Sequence, residues 1–180
     1  MEDISLHILD IVENSIKAGA SFITIKIKED LINDLLTVEI IDNGIGIDKD
    51  EIKKVTDPFY TTGNKKVGLG LSLLKQAVEE ANGELIIDSE KGKGTKIKAT
   101  FIHSHINRKP IGNIADTLIT LIAGHPNIDF VYEHERTGSP TYRLDTREIK
   151  KILKDMSINT PVVLGAIRND ILSNDVENNV

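Results

Sequence analysis

The sequence predicts an α/β (α+β) two-layer sandwich in which helices cover one face of a mixed β-sheet. Two amphipathic helical patterns each precede a pair of segments that alternate apolar and polar residues. Glycine, asparagine and proline separate these segments, as expected for turns. With a short helix counted in the middle, the order α-β-β-α-α-β-β is typical of a sheet packed against one helical layer.

The first helix is predicted over residues 3–18, because isoleucines recur there at intervals of three and four residues. Gly19 follows near its C-cap. Residues 23–27 and 36–40 then alternate between apolar and polar side chains, which indicates two half-buried strands. The dipeptide Asn33-Asp34 supplies the turn between these strands.

The second half of the sandwich begins with a short helix at 48–55 and a longer one at 70–81. Two further strands are predicted at 84–88 and 95–101, and a glycine-containing turn at 91–94 joins them.

The chain divides into four parts by pattern. We predict that residues 1–103 form the sandwich, 104–111 a linker, 112–173 a small α+β appendage and 174–180 a polar tail. The appendage is small for an independent core, so we expect it to pack on the sandwich or on a partner.

Within the appendage, helical spacing starts at Ile114 and returns at 147–154 and 161–172. Thr146 is the expected N-cap of the middle helix. Residues 134–140 are predicted to form a hairpin turn, because their glycine and proline break a helix. The histidine that opens this segment is therefore not expected to be a helix-borne phosphate acceptor.

Composition excludes several function classes. The 180 residues are 39% hydrophobic and 28% charged, with no cysteine and a net charge of −6. Disulfides and thiolate metal sites are excluded, and a spread acidic charge argues against nucleic-acid binding. No apolar run approaches the ~20 residues of a membrane span, and no signal peptide precedes the first helix. We expect no membrane association and a cytoplasmic location.

The segment Asp42-Asn43-Gly44-Ile45-Gly46 follows the second strand and leaves a carboxylate at the rim of the sheet. Beside an apolar floor of Ile45 and Ile47, this acceptor suits an exocyclic amine such as that of adenine. It disfavours the carbonyl oxygen of guanine at the same point. A plain hairpin turn or Asx-turn is the alternative interpretation of the motif alone.

The segment Gly68-Leu69-Gly70-Leu71 opens the second long helix, where unpaired N–H groups suit a phosphate. The polar residues 61–66, which include Lys65, resemble a basic lid over a polyphosphate. A solvated surface loop is the alternative for these lysines. The pattern is neither a P-loop nor a Rossmann fingerprint.

Four polar residues form one stripe along the first helix: His7, Asp10, Asn14 and Lys17. The amide oxygen of Asn14 suits Mg²⁺, which prefers hard oxygen ligands and bridges phosphates. Asp10, one turn earlier, is placed to orient or deprotonate a water or an acceptor hydroxyl. A solvent-facing role is the alternative for Asn14. For His7 an ordinary surface position is expected, and contact with phosphate or capping of the pocket is the alternative. Taken together, these motifs predict a pocket for ATP with Mg²⁺.

The same motifs resemble the Bergerat-fold (GHKL) ATPase superfamily of histidine kinases, type II topoisomerases, heat-shock chaperones and mismatch-repair ATPases. The resemblance covers residues 1 to about 103 and is strongest to the histidine kinase-like ATP-binding domain. It implies that Asn14 binds Mg²⁺, that Lys17 contacts phosphate and that Thr95 makes a water-mediated contact with adenine. The complete predicted ATP-binding set is Asn14, Lys17, Asp42, Gly44, Gly46, Ile47, Phe59, Lys65, Gly68, Leu69, Gly70, Leu71 and Thr95.

Two departures from the family shape the functional prediction. Asp10 stands where the hydrolytic members have a glutamate, one methylene longer, so strong intrinsic ATP hydrolysis is not expected. Nothing precedes the first helix, so we expect no dimerising hairpin with a phosphate-accepting histidine.

The resemblance to stand-alone kinases of the anti-sigma type implies a regulatory protein that transfers phosphate from Mg-ATP to a partner protein in trans, with the C-terminal region holding the target. The alternative is an ATP- or ADP-sensing module whose lid closure controls partner docking without phosphotransfer. An ATPase clamp like the mismatch-repair proteins fits less well, because the lid is short and residue 10 is an aspartate. A protein partner or phosphate acceptor is expected in both leading cases, and a homodimer is compatible with either.

Overall fold

The computed structural model describes residues 3–48, 50–52 and 69–174, apart from the side chain of residue 69. The helices are α1 (Ile4–Lys17), α2 (Leu69–Glu80), α3 (Ile114–Gly124), α4 (Thr146–Leu153) and α5 (Pro161–Asn174). The strands are β1 (Phe22–Asp30), β2 (Leu35–Asp42), β3 (Glu84–Glu90), β4 (Gly94–Ile102), β5 (Asp129–Arg136) and β6 (Tyr142–Asp145).

The six strands form one sheet in the order β3-β4-β2-β1-β5-β6. Strand β1 pairs antiparallel with β2 and parallel with β5, and the remaining pairs are antiparallel. The sheet is therefore mixed, and the predicted two-layer α/β sandwich is confirmed.

The core lies between the sheet and the helices. The alternating isoleucines Ile23, Ile25 and Ile27 of β1 are fully buried and belong to the same hydrophobic cluster as the apolar stripe of α1. Helix α1 packs against both α2 and α3, and α3 packs against α5. Helix α1 is therefore the central helix, and its polar stripe borders the site described below.

The other face of the sheet carries charged side chains in cross-strand pairs. The Lys26 ammonium lies 2.8 Å from the Glu133 carboxylate, and Glu39 lies 3.3 Å from Lys96. These pairs explain why polar residues alternate with the core isoleucines along the strands. Among the helices in the described ranges, none has the length and apolar character needed to cross a bilayer.

Residues 110–112 pack against the start of α1. The first two N–H groups of the helix, from Ile4 and Ser5, donate to the carbonyls of Pro110 and Ile111 at 2.9 and 2.7 Å. The Asp3 side chain caps the helix by accepting from Leu6 N at 3.0 Å. The segment after β4 thus satisfies backbone donors that every helix start leaves unpaired.

Two local expectations about the C-terminal residues are wrong. His134 and Arg136 belong to β5, so the hairpin turn begins after Arg136 and not at residue 134. The N-cap of α4 is Asp145, whose carboxylate accepts from Arg147 N. Thr146 is buried instead, and its hydroxyl accepts from Phe130 N at 2.8 Å.

The short helix expected at 48–55 is visible only at its start. Residues 50–52 are helical, and Glu51 N donates to the carbonyl of Asp48 at 2.9 Å. The second half of that segment lies outside the described residues.

Candidate nucleotide-binding site

Asp42 is the last residue of β2, and its buried carboxylate faces the helical layer. One oxygen, Oδ2, accepts from the Ser15 hydroxyl of α1 at 2.6 Å. The other, Oδ1, accepts from Gly44 N at 2.9 Å and from Thr95 N at 3.3 Å. These three donors are neutral and come from different elements, so they fix the carboxylate without using a charged donor.

The loop after Asp42 is tied to neighbouring elements. The Asn43 side-chain oxygen accepts from the backbone N–H groups of Ser21 and Phe22, each at 2.9 Å. Ile45 N donates to the carbonyl of Ala18, the C-cap of α1, at 3.0 Å. The Ile45 side chain is 65% exposed and does not pack against the core. Ile47 does pack against the core.

Two glycines allow this loop to lie directly on the turn between β3 and β4. Gly46 has φ +69°, and a Cβ atom there would overlap the carbonyl of Glu90. Gly94 has φ +102°, and a Cβ atom there would overlap the carbonyl of Asp42. Positive φ and close backbone approach both require glycine at these positions. They bring Asp42 and Thr95 to the same end of the sheet.

Sequence reasoning missed two serines of this site, and the first is Ser89. It is buried on β3, and its Oγ accepts from Ile47 N at 2.7 Å and donates to the carbonyl of Gly94 at 3.0 Å. Its Oγ also lies 2.9 Å from Thr95 Oγ1. A signal was available: the inward positions of β3 run Leu85, Ile87 and Ser89, so its inner face ends in a polar residue as that of β2 does.

The second missed residue is Ser15, which holds Asp42. It is buried on the apolar side of α1, four residues after Ile11 and three after Val12. A polar residue inside an apolar helical stripe usually has a buried partner. That pattern could have drawn attention to Ser15, although it does not identify the partner.

The polar stripe of α1 lies beside Ser15 and borders α2. Asp10 and Asn14 are half-buried, and Lys17 is exposed. A Cβ atom on Gly70 would overlap the Asp10 carboxylate, so the first turn of α2 lies directly against Asp10. The structure thus brings Asp10 together with Gly70, and Ser15 together with Asp42, along one helix.

The remaining predicted site residues fall into two groups. Leu71 belongs to the first turn of α2, and its side chain is buried in the core. Phe59, Lys65 and Gly68 lie outside the described residues, as does the side chain of Leu69.

His7, one turn before Asp10, is 3% exposed rather than on the surface, so the expectation of an ordinary surface histidine is wrong. Burial lowers the pKa of its imidazole, because desolvation disfavours the charged form. Within the part of the chain that the structure describes, its buried Nδ1 atom has no hydrogen-bond partner.

Residues 2–104 match the family described as histidine kinase-, DNA gyrase B- and HSP90-like ATPase. This match covers more than half of the chain, and the chain therefore belongs to that family. The resemblance of the sequence motifs to the GHKL superfamily is confirmed.

Curated relatives match this same region. Sporulation kinase E of Bacillus subtilis (strain 168) is 38% identical over 96 residues, which are 51% of this chain and 13% of that protein. Sensor protein DegM of Bacillus sp. (strain B21-2) is 32% identical over 90 residues, 50% of this chain and 24% of that protein. The chain thus spans a quarter or less of the length of these two relatives.

Two solved structures share the fold over most of the chain. The N-terminal domain of a DNA repair protein superimposes with a TM-score of 0.56 at 17% identity, covering 97% of this chain and 57% of that one. The Aquifex aeolicus MutL ATPase domain complexed with ADP gives a TM-score of 0.50 at 15% identity, covering 86% and 70%. Both likenesses extend beyond the region of the family match, so residues after 104 belong to the shared architecture.

Proposed function

We propose that this chain binds ATP with Mg²⁺ at the site built around Asp42. The proposal is based on the environment of the Asp42 carboxylate. This group is buried at the end of a strand and accepts hydrogen bonds from three neutral donors. A fixed acceptor in a partly apolar site selects a donor such as the exocyclic amine of adenine. Guanine presents a carbonyl oxygen at that position, which is a mismatch.

The other predicted residues lie around Asp42 and at the start of α2. Gly44, Gly46 and Ile47 shape the base end, and Thr95 lies beside Asp42 as a second polar group. The N-terminus of α2 with Gly70 supplies the phosphate end, since helix starts carry unpaired N–H groups. We keep Lys17, Phe59, Lys65, Gly68, Leu69 and Leu71 in the proposed ATP-binding set.

The residues of the site fit Mg²⁺ as part of the proposal. The described residues contain no cluster of three or more His, Cys, Asp or Glu side chains that would hold a metal alone. Asn14, half-buried on α1, offers one oxygen ligand, and Mg²⁺ commonly takes its remaining ligands from phosphates and water. When bound, the metal would neutralise charge on the phosphates.

We further propose that the bound ATP serves phosphate transfer to a protein partner in trans, in the cytoplasm. Support comes from the relatives, which are named as a kinase and a sensor protein and match this chain over its ATPase-family region. In this proposal Asp10 accepts the proton of the acceptor hydroxyl or orients it.

The contact between Asp10 and Gly70 favours a second candidate, a nucleotide-sensing module. Because the carboxylate already lies against the first turn of α2, a change in the position of that helix would be felt at Asp10. Such a module would dock a partner on nucleotide binding without transferring phosphate.

The nucleotide proposal is tested by calorimetry of ADP binding to the parent and to Asp42→Asn. The amide keeps the shape but replaces a charged acceptor, so affinity should fall at least about tenfold. Asp34→Asn is the matched control, because Asp34 also accepts from a backbone N–H and a serine hydroxyl, at the other end of β2. Equal affinity of Asp42→Asn and the parent would exclude the adenine role.

The metal assignment is tested by titrating ATP with and without Mg²⁺. Asn14→Ala should remove the benefit of Mg²⁺ for ATP while leaving adenosine binding unchanged. A parent-like response of the variant to Mg²⁺ would contradict the assignment.

Phosphate transfer is tested with γ-labelled ATP and a lysate of the source organism. Label on a partner protein supports transfer, and its loss in Asp10→Asn supports the proposed role of Asp10. Tight ATP binding without any labelled product supports the sensing module instead.

A further inference from the structure

Strand β3 forms one edge of the six-stranded sheet, and β6 forms the other. An edge strand presents N–H and C=O groups that no neighbouring strand pairs with, so proteins usually shorten or cover such an edge. Strand β6 has four residues, and its exposed Arg143 lies 3.5, 2.8 and 3.2 Å from Glu133, Asp145 and Glu148. This edge is short, and its charge is satisfied within the chain.

Strand β3 is longer, with seven residues, and its outer face carries Glu84, Ile86 and Asp88, all of them exposed. Lys96 lies opposite Asp88 in the β3–β4 register, but its ammonium pairs with Glu39 on the other side, at 3.3 Å. Within the part of the chain that the structure describes, the Glu84 and Asp88 carboxylates form no ion pair. This edge therefore offers two negative charges with an apolar side chain between them.

The inner face of β3 is apolar. Leu85 and Ile87 pack against the core but remain partly exposed. Together with Ile52, and with Lys75 and Glu79 of α2, they line a groove beside the strand. Among the described residues, the backbone of β3 has no partner strand on the side away from β4. An added strand would thus meet free backbone groups, an apolar groove on one face and two carboxylates on the other.

We propose that the free edge of β3 binds an extended segment of a protein partner, which carries basic side chains on one face and apolar side chains on the other. Side chains alternate between the two faces of a strand, so the first and fifth residues of such a segment lie opposite Glu84 and Asp88, and the second and fourth enter the groove. The inference goes beyond the proposed nucleotide function. Its test contains no nucleotide, so the failure of one leaves the other untouched.

A second copy of this chain fits the same edge poorly. If two β3 strands paired antiparallel around Ile86, the two acidic residues of one copy would face those of the other. Like charges directly opposite each other destabilise a strand pair, whereas opposite charges stabilise it. The charge pattern therefore selects a basic partner over self-association.

The test measures the fluorescence anisotropy of labelled peptides with the full chain. One peptide contains Lys-Val-Thr-Val-Lys, and its counterpart contains Glu-Val-Thr-Val-Glu. The parent should bind the basic peptide at least about tenfold more tightly than the acidic one. Glu84→Lys combined with Asp88→Lys should reverse this preference. The matched control is Glu135→Lys combined with Glu148→Lys, which makes the same change in net charge at two other exposed carboxylates and should keep the parent preference.

Alternate methylation of the peptide backbone distinguishes strand pairing from simple attraction between opposite charges. A strand at a sheet edge pairs only every second N–H group with its neighbour. The basic peptide is therefore N-methylated either at its first, third and fifth residues or at its second and fourth. One of these peptides should lose about tenfold or more in affinity, and the other should bind like the unmethylated peptide. Equal affinities of the two methylated peptides would overturn the inference, and this comparison uses only the parent chain.

Sedimentation of the chain alone tests the other occupant. Reversing the two charges of β3 should leave the oligomeric state of the parent unchanged. A dimer that dissociates in the charge-reversed variant would assign the edge to a second copy and overturn the inference. A parent chain that binds neither peptide would show that the acidic side chains only protect the edge, which would overturn it as well.

Discussion

Two buried carboxylates, Asp42 and Glu29, lie at opposite ends of the β1–β2 pair and on the same inner face of the sheet. Asp42 is paired with Ile23, six residues before Glu29 on β1, which separates the two by about 20 Å. Both are fixed by hydrogen bonds from several elements. They differ in the chemistry of their hydrogen-bond donors. From that difference we infer that Asp42 serves ligand binding and Glu29 serves the stability of the fold.

The partners of Glu29 are two histidines. Its Oε1 lies 3.1 Å from His134 Nε2, and its Oε2 lies 2.8 Å from His103 Nε2. The other ring nitrogen of the fully buried His134 lies 3.2 Å from the Tyr132 hydroxyl. Burial of Glu29 by itself would raise its pKa, but the hydrogen bonds from His134 and His103 outweigh it and lower the pKa to about 2.

From the described residues, Asp42 receives a hydroxyl and two backbone N–H groups. Neutral donors hold a carboxylate in place without cancelling its charge, so it remains an acceptor for an incoming donor. The two imidazole rings occupy both oxygens of Glu29, so this carboxylate is satisfied within the protein. Changes at the Glu29 end of the sheet are therefore expected to alter stability, and changes at the Asp42 end are expected to alter ligand affinity.

The largest expected effect is loss of stability in Glu29→Gln. The amide cannot accept from both histidines as the carboxylate does, and His134 has no access to water, so unfolding free energy should fall by about 3 kcal/mol. Urea denaturation measures this. Nucleotide affinity of the folded variant should equal that of the parent, because Asp42 is untouched.

Glu135→Gln is the control for that experiment. Glu135 lies on the outer face with its side chain 49% exposed and 3.5 Å from Lys28, where an ion pair contributes little. Its change in stability should stay below about 0.5 kcal/mol. If Glu29→Gln lost ADP affinity by as much free energy as it lost stability, the inference that the two ends of the sheet have separate roles would be contradicted.

Acid should destabilise the protein through the same carboxylate. Glu29 has a folded pKa of about 2 against an ordinary 4.5, so its contribution is present above pH 4.5 and is lost as pH falls toward 2. The gap corresponds to at most about 3 kcal/mol. His7, whose pKa is lowered by burial, adds a separate loss that begins as pH falls below 6.5.

Urea midpoints between pH 7 and pH 3 separate the two groups. Glu29→Gln should reduce the loss below pH 4.5 while keeping the decline that starts near pH 6.5. Part of the acid loss should remain, because hydrogen bonds from Arg147 and Arg143 also lower the pKa of Asp145. A variant that retains the full acid loss would show that other carboxylates cause it.

Much of this architecture is predictable because periodicity reports burial. The alternation around Ile23 and Ile25 and the helical spacing of α1 gave each element within a few residues. Asp42 was identifiable because a carboxylate closed an otherwise apolar inner face. These signals are local, and each is contained in fewer than 20 residues.

The parts that sequence reasoning missed depend on partners far along the chain. Ser15 and Ser89 meet their partners across 27 and 42 residues, and Glu29 meets His134 across 105. The parallel pairing of β5 with β1 is equally remote in sequence. Glu29 follows Ile23, Ile25 and Ile27 on the inner face of β1, as Asp42 ends the inner face of β2, but this pattern does not identify the distant histidines that bury it.

The smallest expected effect concerns the Ser15 hydroxyl, and it tests whether this neutral donor to Asp42 contributes to ADP affinity. Ser15→Ala removes the 2.6 Å hydrogen bond to Oδ2 but leaves Gly44 N and Thr95 N on Oδ1, so the carboxylate stays in place with more freedom to rotate. ADP affinity should fall about fivefold, which corresponds to about 1 kcal/mol. Ser104→Ala is the control, because Ser104 donates to Asp34 at 2.7 Å with the same chemistry at the opposite end of β2. It should leave ADP affinity unchanged. If the two serine variants bind ADP equally, the hydrogen bond from α1 contributes only to the fold, and the contrast between the two carboxylates would rest on the backbone donors alone.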